Sequence, residues 1–120
     1  MGRMARTGRL DWVIGMENKT VWVAFGEGGS IIAIAASDRE AARALVETDY
    51  FSLNDEEAVS YEVKGYRYLG HTSVREAAEK CKLDVDTFLV KALRGQLPDY
   101  WIYDCRIEEY TVSRYPAPLT

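Results

Sequence analysis

The chain has 120 residues, 48 % hydrophobic and 28 % charged, with 15 Lys and Arg against 19 Asp and Glu for a formal net charge of −4. That length and apolar content can bury one ordinary core, which excludes a disordered chain and removes the need for a disulfide or metal staple. The acidic balance argues against a general polyanion binder, and one His with two Cys leaves too few ligands for structural zinc, so no cofactor is expected.

Residues 1–9 carry Arg3, Arg6 and Arg9 with no acid before Asp11 and read as a flexible basic arm. No apolar run long enough for a secretory signal follows, and no stretch is long enough to span a bilayer. The expected location is therefore cytoplasmic, without a membrane partner, and Cys81 and Cys105 are expected as reduced, mostly buried thiols, although spacing alone leaves a disulfide open. Residues 10–36 read as a three-stranded antiparallel meander. Trp12, Ile14 and Met16 alternate with Val13 and Gly15, 17–20 is a polar loop, 21–25 the return strand and 31–36 the third. Gly26, Gly28 and Gly29 form a hairpin turn here, because a phosphate-cradling loop would feed a helix and supply a Lys.

Ser37 followed by Glu40 is a capping box, and the pairs Ala41/Leu45 and Ala42/Val46 give a helix with one inward stripe that ends near Thr48. Residues 49–57 form an acidic, irregular connection with one helical turn started by Asn54. A longer strand follows, with Val59, Tyr61 and Val63 on one face and Ser60, Glu62 and Lys64 on the other. A bulge at Gly65 moves the apolar parity to Tyr66 and Tyr68. After a pair of helices, 97–99 turns the chain into a strand over 101–107 with its odd positions apolar, continued by 108–115, and Pro116 and Pro118 mark a tail.

The pair between these strands is the most informative stretch. Ser73 and Glu76 make a second capping box, so a helix starts at Val74 and places Ala77, Ala78 and Cys81 on one face. Asp84 caps a second helix whose buried side is Phe88, Ala92 and Leu93, and Gly95 stops it. Residues 73–94 resemble the helix-turn-helix units of prokaryotic repressors and of excisionase-like and intron-encoded DNA-binding modules, with Ala78, Leu83 and Phe88 at the positions that hold the helices together. The resemblance covers about a fifth of the chain. It departs from the pattern at Lys82, where Gly is usual, and at Lys91, where an apolar residue is usual. It implies that Asp84, Val85, Asp86, Leu89, Val90 and Leu93 face DNA, and none of these makes the bidentate base contacts that carry specificity. The net charge of 73–94 is only +1, from five basic and four acidic side chains.

No catalytic set emerges. His71 lies near Ser73, but Ser73 serves as a cap, and the adjacent carboxylates Glu56/Glu57 and Glu108/Glu109 read as solvated charges. Binding remains. The acidic connection follows Tyr50 and Phe51, and Tyr66, Tyr68, Tyr100, Trp101 and Tyr103 add aromatic surface beyond a minimal core. The expected fold is α+β in a single small domain: arm 1–9, a β-rich part with one helix over 10–70, the helix-turn-helix-like pair over 71–95, a C-terminal strand or hairpin over 96–115, and tail 116–120. The expected function is non-catalytic macromolecular recognition, as a small acidic protein-binding inhibitor or adaptor of prokaryotic or phage type. Tyr50, Asp55, Glu56 and Glu57 form one candidate surface, and Val85, Leu89 and Val90 a second, apolar one for a partner or a homodimer. The alternative is a helix-turn-helix DNA-binding regulator using Arg3, Arg6, Arg9, Arg75, Lys82, Lys91 and Arg94.

Overall fold

A computed structural model describes residues 18–63 and 69–113. The fold is α+β, with strands β1 (Asn18–Phe25), β2 (Ile31–Ala35), β3 (Val59–Glu62), β4 (Leu69–Thr72), β5 (Tyr100–Ile102) and β6 (Arg106–Ser113), and helices α1 (Asp38–Glu47), α2 (Val74–Lys80) and α3 (Val85–Leu93). The strands form two sheets, ordered β2-β1-β6 and β4-β3-β5. The chain divides into two compact units. One is Trp22–Glu109; the other joins Met1–Val21 with Tyr110–Thr120, of which the described parts are the start of β1 and the end of β6. The expected strand over 12–16, the bulge at Gly65, Tyr66, Tyr68, the arginine arm and the tail lie outside the described residues.

Each helix begins where its cap predicts. Ser37 Oγ accepts the Glu40 amide (3.1 Å), Ser73 Oγ the Glu76 amide (3.2 Å), and Asp84 takes both the amide (3.1 Å) and the hydroxyl (2.6 Å) of Thr87. The Glu76 carboxylate is engaged by the Thr72 hydroxyl (2.5 Å) at the end of β4. All three helices end the same way, with a left-handed residue after the last turn: Asp49 (φ 59°), Lys82 (φ 59°) and Gly95 (φ 77°). The amides of Tyr50, Leu83 and Gln96 then reach back to the carbonyls of Leu45, Ala78 and Lys91, closing Schellman motifs.

One core fills the Trp22–Glu109 unit. Ala24 of β1, Ala41, Ala42 and Leu45 of α1, Ala77 and Ala78 of α2, Phe88, Leu89 and Leu93 of α3, Val59, Ile102 and Ile107 are all buried in it. Small residues on α1 and α2 let the helices approach closely, and Phe88 meets the Tyr100 ring edge to face at 5.6 Å.

Three expectations about strands and one about a helical turn are corrected. Residues 18–20 begin β1 instead of forming a loop. No helical turn forms after Asn54; the Asp55 amide bonds the Ser52 carbonyl and the Ala58 amide the Asp55 carbonyl, giving two turns. The strand from Val59 is short and its partner β4 returns antiparallel to it, with Val59 opposite Thr72 and Glu62 opposite Leu69. The run 101–107 is neither one strand nor a hairpin: β5 pairs with β3, β6 belongs to the other sheet, and Tyr103 (φ 47°) makes the break. In β5 the even position points inward, because Ile102 stands opposite the buried Val59 while Trp101 is exposed.

Candidate functional site

Three loops of the Trp22–Glu109 unit meet around Tyr103. The first is the β1–β2 turn, where Gly28 (φ 77°) and Gly29 (φ 82°) reverse the chain and the Glu27 amide donates to the Tyr50 hydroxyl (2.6 Å). Gly26 is required by this approach, since a Cβ there would stand 2.7 Å from the Tyr50 ring. The second is the connection after α1, where Asp55 Oδ1 accepts the Glu57 amide (2.9 Å) and Oδ2 the Tyr103 hydroxyl (2.6 Å). The third is the β5–β6 break itself, held by the Tyr103 amide on the Ala58 carbonyl (2.8 Å) and the Cys105 amide on the Ile102 carbonyl (2.9 Å).

The electrostatics follow from this convergence. The hydrogen bond from Tyr103, then that from the Glu57 amide, holds the Asp55 carboxyl below its ordinary value. Tyr103 is pushed up to about 12, first by its bond to Asp55 and then by burial and the negative field of Asp55, Glu57 and Glu27. Burial, with Glu27 and Asp104, pushes the Cys105 thiol up to about 11, which favours the protonated thiol at neutral pH. Tyr103, 37 % exposed, is thus an aromatic side chain within an acidic field, backed by Phe51 with ring centroids 6.5 Å apart.

Of the first predicted surface, Glu56 and Glu57 are exposed. Asp55 is engaged by Tyr103, and Tyr50 is half-buried with its hydroxyl on the β1–β2 turn, so both build the site more than they decorate it. The second predicted surface is corrected: Leu89 is 1 % exposed, and Val85 and Val90 are half-buried against the core. The reason is α1, which packs on α3 with ion pairs Arg39–Asp86 (2.7 Å) and Arg94–Asp38 (3.0 Å) between the two helices. Leu89, offered to DNA in the helix-turn-helix reading, is therefore a core residue, and so is Leu93, which the helical spacing places on the buried side with Phe88 and Ala92. Among the other basic residues of that reading, Arg75 donates to Asn54 Oδ1 (2.9 Å), Arg94 also stacks over Trp22 (4.8 Å), Lys82 is exposed and Lys91 half-buried. Arg3, Arg6 and Arg9 lie outside the described residues.

Sequence reasoning counted Tyr103 only among general aromatics and passed over Glu27 and Asp104. The available signal was Asp104 inside an apparent strand, since Asp is a poor strand former and a good turn former. His71, exposed on β4, has Ser60 of β3 as its neighbour (Oγ to Nδ1 3.2 Å), while Ser73 is occupied as a cap. Among the described residues no three His, Cys, Asp or Glu side chains converge to hold a metal ion, and no helix is long and apolar enough to cross a membrane. Compared with protein-family models, curated proteins and solved structures, the chain matches none of them.

Proposed function

We propose that this protein acts by non-catalytic recognition of a basic protein, as a small inhibitor or adaptor of prokaryotic or phage type, through the acidic surface around Tyr103. The observation that supports this reading is the placement of Glu27, Asp55, Glu57 and Asp104 near Tyr103 and Cys105. Carboxylates from three loops raise the rate at which a cationic surface arrives, and a rigidly hydrogen-bonded tyrosine provides an anchor that loses little entropy when covered. The test is capture from host lysate by the full chain and by a Glu56→Lys/Glu57→Lys variant, with and without nuclease. The expected result is one basic protein retained by the parent chain, lost with the charge reversal and indifferent to nuclease. Capture that disappears with nuclease, or that survives the reversal, overturns the reading.

A further inference from the structure

Beside the acidic connection lies a groove of about 300 Å³ between α1 and α3, lined by Arg43, Val46, Glu47, Leu53, Asp86 and Leu89. Its floor is aliphatic: Leu89 is buried and Val46 and Leu53 are half-buried against the core. At ~30 Å³ per water molecule its volume equals that of about ten waters, room for one large side chain. The groove's charged residues are largely compensated locally, Arg43 by Glu47 (3.7 Å) and Asp86 by Arg39 (2.7 Å). Its surroundings keep an acidic excess, although Asp38 is itself paired with Arg94 (3.0 Å). Residues 38–57, which supply α1 and the connection carrying Leu53, hold seven carboxylates and two arginines, a net charge of −5 in a chain whose total is −4. The chain's negative charge is concentrated on the segment that forms most of the groove wall.

We infer that this groove receives one aliphatic or aromatic side chain of a basic polypeptide segment, with Lys or Arg residues on either side of it. The inference rests on the acidic recognition reading above and adds to it the kind of anchor the partner presents. An aliphatic floor rewards apolar contact and gives nothing to a charged group, whereas the field of 38–57 favours cations around the anchor and disfavours an acidic peptide. The two contributions separate kinetically, charge acting on association and the anchor on dissociation.

The experiment pans a random dodecapeptide display library against the full chain at low ionic strength, then titrates enriched peptides into the isotope-labelled chain. Enriched sequences should carry one Leu, Ile, Met, Phe or Trp with Lys or Arg within a few positions, and should shift the amide signals of Val46, Leu53 and Leu89. Replacing the anchor by Ala should weaken binding about tenfold or more. Glu47→Lys, at an exposed helix C-terminus where the helix dipole offsets the loss of the exposed Arg43 pair, should weaken it about fivefold. Basic peptides that need no apolar residue and shift only signals near Tyr103 and Glu57 overturn the groove inference and leave the acidic reading standing. Enrichment of neutral or acidic peptides, or no enrichment, overturns both.

Discussion

Lys82 carries the clearest residue-scale tension in the molecule. It occupies the left-handed position between α2 and α3 (φ 59°), where the α2 cap requires positive φ and where Gly95 serves after α3. A side chain in this conformation costs ~1–2 kcal/mol, and Gly recovers most of that while losing ~0.5–1 kcal/mol through the greater freedom of its unfolded chain. Lys82→Gly is therefore expected to stabilise the protein by up to about 1 kcal/mol in denaturant titrations. An unchanged or lower midpoint would mean that the Lys82 side chain contributes more by its contacts than its backbone costs. The same residue marks the departure from the helix-turn-helix pattern, and its backbone supplies the turn that the usual Gly would.

At the level of elements, the decisive arrangement is α1 packed on α3. Had α3 been a reading helix, Leu89 would face outward and tolerate a charge. With Leu89 1 % exposed, Leu89→Asp is expected to unfold the chain, and Leu89→Ala to cost about 2–5 kcal/mol through the cavity it leaves. Within the α2–α3 pair, Phe88→Ala should cost about 3–5 kcal/mol, and Ala78→Leu about 1–3 kcal/mol by overpacking a position 2 % exposed. Thermal unfolding followed by circular dichroism measures all four. A folded Leu89→Asp variant would detach α1 from α3 as described.

For the whole molecule, the ionisable groups set a stability plateau. Asp55 and Asp84 titrate below their ordinary value of 3.8 when folded, so the unfolded chain takes up protons first. Their contribution is present above that pH and is lost as pH falls through the folded values. Cys105 and Tyr103 shift upward, from 9.0 to about 11 and from 10.0 to about 12, so their contribution is full below about pH 9 and is lost as pH rises through those windows. Denaturant titrations across pH should show a plateau between these limits, and Asp55→Asn should move the spectroscopic titration of Tyr103 back toward 10; an unmoved titration would separate the two side chains. How much of this was legible beforehand depends on the range of the interaction. The caps at Ser37, Ser73 and Asp84, the stop at Gly95 and the stripe Ala41/Ala42/Leu45 are set by neighbours within four residues, so the sequence by itself determined the helices and the α+β class. The burial of Leu89 beside the expected Phe88, Ala92 and Leu93, the antiparallel return of β4, the switch of sheets at Tyr103 and the meeting of Glu27, Asp55 and Tyr103 were decided only by tertiary structure. Each depends on partners far apart along the chain, 47 residues for Arg39 and Asp86 and 48 for Asp55 and Tyr103, and local periodicity carries no record of such pairings.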